Sequence, residues 1–288
     1  SFMSGDKCAV AGAYHDHDFD FDAYRRSTEP TLATVSCLPR EDIVRAESPP
    51  VQAWESFFHR HSDKATFFKK RRYLVLEFPE LLDKAGEYAA TNNFVKCRLL
   101  EIGCGYGSSL AAIMEANPDL ICFACDLSTT ALHLLDRALG DIYKQRLTAF
   151  ICDVVKNDIP CHLVLPGSMD FVLMTFMLSA IGRKEEHQAV FHRAYAALRP
   201  GGLLLFRDYG WCDAKMVRSR NRIGQQLYKR ADGTLAYFFT AEDINQLAIT
   251  AGFHVQECKY ATVLSKNRAT REELKRVFVH AKLQRGDG

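Results

Sequence analysis

The middle of the chain alternates between two hydrophobic periods, and this alternation restricts the fold more than any other feature. Short apolar runs with the character of strands are separated by segments of helical period. Strands are predicted at residues 98–102, 120–125, 146–151, 170–177 and 203–208, and helices at 108–116, 129–138 and 184–198. Strands that alternate with helices predict an α/β fold with a doubly wound, mostly parallel sheet.

The pattern changes after residue 210. A hairpin is predicted over 227–239 around Asp232 and Gly233, followed by a helix at 241–251 and strands at 255–264 and 276–283. These two late strands bring the predicted sheet to seven. We therefore expect residues 98–285 to form one domain, with an insertion near 211–239.

The N-terminal third differs in composition from the rest. Residues 1–50 carry five basic against nine acidic side chains and show no sustained period, so an acidic arm is predicted that is poorly structured or packed on the body. Its His and Asp residues at 15–22 are interpreted as solvated, and no metal site is predicted. Residues 51–97 are aromatic and basic, with Trp54, Phe57 and Phe58 at helical spacing, which predicts an N-terminal helical cap.

A glycine-rich turn follows the first predicted strand of the domain. Residues 99–107 read LLEIGCGYG, so an apolar strand runs into Gly103, Gly105 and Gly107 before a helix. Glycine in such a turn lets the backbone approach a ligand closely. This turn alone is weak support, because nucleotide-binding turns of several kinds share it.

Polar side chains at the ends of the later strands strengthen this prediction. Asp126 ends the second strand, about twenty residues after the glycines, where a carboxylate can bind ribose hydroxyls. Asp153 follows the third strand, where it can accept the amino group of adenine, and Thr175 lies at the end of the fourth. A helix-capping role remains the alternative for each aspartate taken alone. A dehydrogenase is the competing interpretation, but its turn has the spacing G-x-G-x-x-G.

Several further motifs resemble those of the tRNA 3-methylcytidine methyltransferases, which are class I S-adenosylmethionine-dependent enzymes. The resemblance covers roughly residues 54–283, and departs from the family at Lys70, where an aspartate is usual, and at Phe58, where a tyrosine is common. It rests on WESFF at 54–58, FFKKR at 67–71, EFPEL at 77–81, LSA at 178–180, RDYG at 207–210, RADGTLAYFFT at 230–240 and RVFVHAK at 276–282.

The resemblance implies a class I methyltransferase fold, S-adenosylmethionine as cofactor and a cytidine of the tRNA anticodon loop as acceptor. The implied cofactor site comprises Trp54, Phe58, Gly103, Gly105, Asp126, Leu127, Asp153, Val154 and Thr175. The implied RNA contacts lie in the cap and in the insertion, at Lys69, Arg71, Arg230 and Tyr237. Basic stretches interleaved with aromatic residues, as at 54–73, 207–230 and 259–285, suit phosphate contacts and base stacking. Solvated helix faces remain their alternative.

The expected reaction requires the enzyme mainly to position the cytidine and the cofactor. N3 of neutral cytosine carries a lone pair and no proton, so no general base is required. The product ring is cationic, and a carboxylate near it would stabilise the developing charge. Asp208, just past the fifth strand, is the candidate for this role, with a turn or cap carboxylate as the alternative. Arg207 or Arg71 is the candidate to hold the base carbonyl or a flanking phosphate.

Two other functions stay open, and so does the setting in which the protein works. The same fold could methylate a protein or a small molecule, or the chain could be a cofactor-binding subunit without activity of its own. A seryl-tRNA synthetase is a candidate partner by the family resemblance. The absence of a membrane span or a secretory signal and the free cysteines expected for a reducing compartment predict a cytoplasmic protein, with the nucleus and the mitochondrion as alternatives.

Overall fold

Helices cover both faces of a central sheet in the computed structural model, which describes residues 14–37, 50–62, 69–82, 96–266 and 271–286. The strands are β1 (Arg98–Ile102), β2 (Ile121–Asp126), β3 (Leu147–Ile151), β4 (Met169–Thr175), β5 (Leu198–Tyr209), β6 (Leu227–Lys229), β7 (Leu235–Tyr237), β8 (Phe253–Lys266) and β9 (Glu273–Arg285). The helices are α1 (Phe21–Ala33), α2 (Pro50–His61), α3 (Leu74–Glu77), α4 (Ser108–Ala116), α5 (Thr129–Leu135), α6 (Asp141–Tyr143), α7 (Lys184–Ala197), α8 (Ala214–Arg218) and α9 (Ala241–Ala251).

Within the described ranges the sheet has seven strands in the order β3-β2-β1-β4-β5-β9-β8. The first five strands are parallel to their neighbours, whereas β9 is antiparallel to β5 and β8 is antiparallel to β9. The prediction of a doubly wound, mostly parallel, seven-stranded sheet is thus confirmed. The strand order reverses between β1 and β4, and the carboxyl ends of parallel strands at such a point form a crevice where ligands bind.

The alternation of side chains along β1 divides the core into two layers. Leu99 packs in a cluster with Leu110 and Ile113 of α4 on one face of the sheet. Leu100 packs on the other face, in a cluster to which α7 and α9 contribute. Burial on both faces explains why the central strands are nearly continuous apolar runs. No helix in the described ranges is long and apolar enough to cross a membrane.

The predicted elements are present, with shifts at their ends. Strand β5 begins at Leu198 rather than at residue 203, because Leu198 already pairs with Met169 of β4. An irregularity that contains Gly201, with a φ of 74°, separates this pair from the regular ladder that begins at Leu203. Helix α5 ends at Leu135, and a single π turn at Asp136–Gly140 follows where the pattern predicts three more α-helical residues. A π turn differs from an α turn in its i→i+5 hydrogen bonds, which hydrophobic periodicity over five residues does not reveal.

The acidic arm contains a helix that the sequence analysis did not predict. Residues 38–49 and 1–13 of the arm lie outside the described residues, but α1 packs on the body: Leu32 is 2% exposed and the Phe21 ring stacks on Tyr260 at 3.8 Å between centroids. Trp211 Nε1 donates to Glu29 at 2.9 Å. The helix is short, and its stability comes from these contacts rather than from a strong periodic pattern.

A buried ion pair connects the segment before the sheet to the sheet itself. Arg207 of β5 donates through Nη1 to Glu77 Oε1 of α3 at 2.5 Å, and Glu77 also lies 2.9 Å from His280 Nδ1 of β9. The guanidinium lies 4.2 Å from the Phe278 ring centroid, and Nη1 donates to the Tyr14 hydroxyl at 3.1 Å. The arm, α3 and two strands therefore converge on one buried charge pair.

Removing only one partner of this pair should destabilise the fold strongly. Arg207→Met would leave the Glu77 carboxylate buried beside His280 without its guanidinium, and we expect a loss of about 3 kcal/mol in the free energy of unfolding. The double variant Arg207→Met with Glu77→Gln should recover a large part of that loss, because no isolated charge remains buried. Urea unfolding of both variants measures this. A single variant within about 0.5 kcal/mol of the wild type would contradict the proposed role of the pair.

Candidate active site

A cavity of about 400 Å³ lies at the carboxyl ends of the parallel strands, where the strand order reverses. Its floor comes from the residues that follow β1, β2, β3 and β4, and α2 closes one side through Trp54 and Phe58. Arg71, Tyr209 and Arg230 contribute to the remaining wall. The cavity is therefore built from segments that are far apart in sequence and meet at one edge of the sheet.

The glycine turn after β1 forms one wall of the cavity, and its glycines adopt left-handed backbone conformations. Gly103, Gly105 and Gly107 have φ of 72°, 53° and 81°, a region that favours glycine. A Cβ on Gly103 would lie 2.0 Å from Cγ of Met177, which follows β4. The turn is tied to β2, since the Gly103 N–H donates to the Cys125 carbonyl at 2.8 Å. Two strand ends thus meet closely only because glycine stands between them.

Asp126 fixes this turn to the start of α5. Its Oδ2 accepts the Gly105 N–H at 2.8 Å and its Oδ1 accepts the Ser128 N–H at 2.9 Å. Burial raises the pKa of Asp126, and these N–H groups oppose that rise. The same carboxylate lines the cavity, so it orders the turn and faces a ligand from one position.

The predicted cap helix α2 covers the glycine turn with aromatic side chains. Phe58 is 5% exposed, and its Cζ lies 3.4 Å from where a Cβ on Gly105 would be. Trp54 lies 5.8 Å from Phe58 between ring centroids. The Glu55 carboxylate accepts the Thr129 N–H at 2.6 Å, which holds α2 against the N-terminus of α5. This contact explains how a helix with little burial of its own stays over the site.

Glu101 is a buried carboxylate of the site that the sequence analysis did not single out. It is 1% exposed and lines the cavity, and its Oε2 has no hydrogen-bond partner in the described structure. Burial raises the pKa of Glu101 to about 7, although Ser109 and Arg71 act in the opposite direction. The signal was present in the sequence: an acidic residue stands two positions before Gly103, between the apolar residues Leu100 and Ile102.

Arg71 connects the cap segment to the end of β4. Its Nη1 donates to the Thr175 hydroxyl at 2.9 Å, and its guanidinium lies 4.9 Å from the Phe176 ring centroid. Phe176 has a φ of 56°, which is unusual for a residue with a side chain and is typical of functional sites. Lys70, where the related family usually has an aspartate, pairs with Glu115 of α4 at 3.0 Å. At this departure from the family pattern, Lys70 therefore forms an ion pair with α4.

All the predicted cofactor-binding residues lie on the wall of this one cavity. This places Leu127 after β2 and Asp153 and Val154 after β3 beside the residues already described. Lys156 pairs with Asp153 at 3.2 Å. Of the predicted RNA contacts, Arg71 and Arg230 also line the cavity. Their contacts with cofactor or RNA remain predictions.

The structure does not support a direct catalytic role for Asp208 or Arg207. The Asp208 side chain is fully buried, with Oδ2 accepting the Ser179 N–H at 2.9 Å and Oδ1 accepting the Tyr209 N–H at 2.8 Å. It therefore holds the Leu178–Ala180 turn beside the cavity and does not form part of the cavity wall. Arg207 is 3% exposed and points to Glu77. Residues along a strand alternate between faces, and the motif did not reveal which face is open.

Tyr237 and Lys69 also lie away from the cavity wall. Tyr237 is 7% exposed, its hydroxyl donates to Gln226 at 2.8 Å, and its ring packs against His187. The Tyr237 side chain is thus covered in this structure, and its contact with RNA remains a prediction. Lys69 is exposed at the protein surface. In the described ranges, no three His, Cys, Asp or Glu side chains come together as a metal site would require.

Solved structures show which fold this is, and a family model defines the class of protein. The fold is similar to a SAM-dependent methyltransferase from Methanosarcina mazei, with a TM-score of 0.50 and 15% identity over 69% of this chain and 97% of that one. It is also similar to the N-methyltransferase NodS from Bradyrhizobium japonicum, solved with S-adenosylhomocysteine, with a TM-score of 0.51 and 15% identity over 81% and 98% of the two chains. A family model described as a methyltransferase domain matches residues 67–257. The protein is a class I S-adenosylmethionine-dependent methyltransferase.

Curated relatives narrow the class to a family. A Mus musculus protein named tRNA N(3)-cytidine methyltransferase METTL6 is 34% identical over 88% of this chain and 86% of its own length. The Drosophila melanogaster tRNA N(3)-methylcytidine methyltransferase Mettl2 is 32% identical over 88% of this chain and 76% of its own length. The chain belongs to the tRNA N3-cytidine methyltransferase family, as its motifs predict. An O-methyltransferase 3 from Dictyostelium discoideum is also similar, at 29% identity over 93% of this chain and 78% of its own length.

The residues of the cavity fit S-adenosylmethionine. The unpartnered Oε2 of Glu101 offers a buried acceptor for an ammonium group, and Asp126 offers a carboxylate for ribose hydroxyls. A Cβ on Gly105 would narrow the space in front of Phe58. The cofactor supplies an electrophilic sulfonium methyl group, and these residues would bind and orient it.

A side chain at Gly103 should disrupt the cofactor site. Gly103→Ala would force Cβ into Met177 in strained backbone, and we expect at least a tenfold loss of S-adenosylmethionine affinity, on the order of 1.4 kcal/mol or more. Gly233→Ala is the matched control, because Gly233 also has a positive φ, 89°, but nothing lies within 4 Å of its Cβ position. Isothermal titration calorimetry measures both. Equal affinities for the two variants would refute the importance of the close approach.

Cofactor affinity should depend on the protonation of Glu101. The ionised carboxylate attracts an ammonium group, and because its pKa is raised to about 7, protonation below that pH should weaken binding. We expect the wild-type affinity to fall as the pH is lowered from about 8 to about 6. Glu101→Gln should bind weakly with little change over this window, and calorimetry at several pH values compares them. A Glu101→Gln profile that matches the wild type would exclude this role.

Proposed function

We propose that this protein transfers the methyl group of S-adenosylmethionine to N3 of a cytidine in the anticodon loop of tRNA. The observation that carries the proposal is that one cavity contains two kinds of side chain. The carboxylates of Glu101 and Asp126 suit the ammonium group and the ribose of the cofactor, and the cationic and aromatic side chains of Arg71, Tyr209 and Arg230 suit RNA. Family membership supports the acceptor, since relatives named as tRNA N(3)-cytidine methyltransferases match most of the chain.

The acceptor chemistry agrees with the side chains of the cavity. N3 of neutral cytosine has a free lone pair, so the enzyme needs to align it with the methyl group and exclude water. Phe176 and Tyr209 lie 5.1 Å apart between ring centroids and offer aromatic surface for a base. Chemistry on a base edge requires the base to leave its stack, and loops present such bases most readily.

Asp208 has an indirect part in this proposal. The N–H groups of Ser179 and Tyr209 converge on its carboxylate, so Asp208 sets the position of the turn after β4 and of the Tyr209 backbone. Burial raises the pKa of Asp208 to about 6, with Arg230 acting in the opposite direction. Asp208 is therefore a positioning residue for the wall that faces the acceptor.

Methylation of a small molecule is the second candidate function. The specific observation in its favour is the similarity to a protein named O-methyltransferase 3, which extends over 93% of this chain. Transfer to a hydroxyl oxygen usually needs a general base to remove its proton. A tRNA acceptor is favoured because two cationic side chains, Arg71 and Arg230, line the cavity.

The direct experiment is methyl transfer from labelled S-adenosylmethionine to purified tRNA, followed by nucleoside mass spectrometry. We expect label in 3-methylcytidine, and sequencing of the modified tRNA should place it in the anticodon loop. Gly103→Ala should give almost no product, whereas Gly286→Ala, at a position with open space and no positive φ, should behave as the wild type. Label that resists ribonuclease, or that enters another nucleoside only, would contradict the proposal.

Partner and compartment are tested in the same system. The family resemblance predicts that a seryl-tRNA synthetase assists in tRNA choice, so the assay is repeated with and without it. Product only in its presence would support that partnership. The described cysteines are free thiols, for example Cys104 and Cys125 in the core, which suits the proposed cytoplasmic location.

A further inference from the structure

A second, smaller cavity lies directly beside the first. Its volume is about 220 Å³, and Tyr209 and Arg230 line both cavities. The Arg230 guanidinium lies 5.2 Å from the centroid of the Tyr209 ring. These two side chains therefore form a shared wall, and a strand of nucleic acid that enters one cavity passes close to the other.

Two lysines of the second cavity are not paired with a carboxylate of the described residues. Lys215 of α8 and Lys229 of β6 line it together with Arg230. Over the ranges that the structure describes, Lys215 and Lys229 have no carboxylate within ion-pair distance, whereas Lys259 has two and Lys282 has one. Unpaired ammonium groups around a concave surface attract an anion, and two of them are suited to a phosphate.

The two lysines are held on fixed backbone. The Asp213 side chain caps α8 by accepting the Lys215 N–H at 2.9 Å, and its other oxygen accepts from Arg276 Nε at 2.8 Å. Lys229 lies on β6, which pairs with β7 in register Lys229 to Leu235. Asn221 is connected to the same strand, because the Lys229 N–H donates to its carbonyl at 3.0 Å. The charges therefore stand on ordered elements rather than on a free loop.

We propose that this second cavity binds the backbone phosphodiester of a nucleotide next to the methylated cytidine. The inference rests on the proposed function, since it needs a cytidine in the first cavity. A base turned into the first cavity leaves its ribose at the entrance, and the flanking phosphate then lies beside the shared wall of Tyr209 and Arg230. Lys215 and Lys229 neutralise that phosphate, and this contact fixes the strand without reading its sequence.

The double variant Lys215→Gln with Lys229→Gln tests the charge. We expect KM for tRNA to rise about tenfold, with kcat and cofactor affinity unchanged. The slope of log KM against log salt concentration should decrease by about 0.7 for each phosphate contact that is lost. The matched control is Lys96→Gln with Lys144→Gln, which removes the same charge at the opposite ends of the strands. Circular dichroism and thermal unfolding establish that both variants fold.

A neutral linkage in the RNA tests the partner of these lysines. A stem-loop substrate with one methylphosphonate next to the acceptor cytidine, on its 5′ or its 3′ side, loses a single backbone charge. One of the two substitutions should raise KM for the wild-type enzyme about tenfold and leave KM for the double lysine variant unchanged, because the contact is already lost.

The outcomes separate this proposal from the function on which it rests. No methylation of any RNA by the wild type would remove the proposed function itself. Normal methylation by the wild type, with the lysine variant equal to its control, would overturn the second site alone. Additive effects of the variant and of both methylphosphonates would show that the lysines act on distant phosphates, and would also overturn it.

Discussion

The close approach of two strand ends, with glycine between them, is the constraint on which the site depends. Met177 after β4 packs where a Cβ on Gly103 would be, and the turn is bonded to β2 through the Cys125 carbonyl. This contact brings the ends of β1, β2 and β4 to one edge, so Asp126, Glu101 and Thr175 face one cavity. The reversal of strand order between β1 and β4 creates the crevice, and glycine allows the strand ends beside it to approach closely.

The cap and the arm pack on this core through apolar clusters, Phe58 with Ala131 and Leu32 with Met216, and polar contacts set their positions. Glu55 holds α2 at the N-terminus of α5, and Arg71 connects the following segment to Thr175. The buried pair of Glu77 and Arg207 holds α3 against β5. Because a buried pair is sensitive to the loss of either partner, this contact restricts α3 to one position against the sheet.

The sheet and the residues that line one half of the cavity could be predicted from the sequence because both depend on local signals. Period, glycine spacing and acidic residues at strand ends are visible without any tertiary knowledge, and they identified Gly103, Asp126 and Asp153. Side-chain direction depends on which face of a strand is covered, and that depends on distant elements such as α3 and α1. For this reason Asp208, Arg207 and Tyr237 were assigned to the site from motifs, although the structure buries them. Glu101 was missed because it was treated as part of a strand.

The account requires that cofactor and cytidine occupy the two sides of one cavity. A crystal structure of the protein with S-adenosylhomocysteine and a cytidine-containing RNA stem-loop tests this most directly. The account predicts the amino group of the cofactor product beside Glu101, its ribose beside Asp126, and an unstacked cytosine against the aromatic surface of Phe176 and Tyr209 with N3 directed at the sulfur. A cofactor product bound as described with the RNA seated away from Arg71 and Arg230, or a cytosine whose N3 faces away from the sulfur, would contradict it.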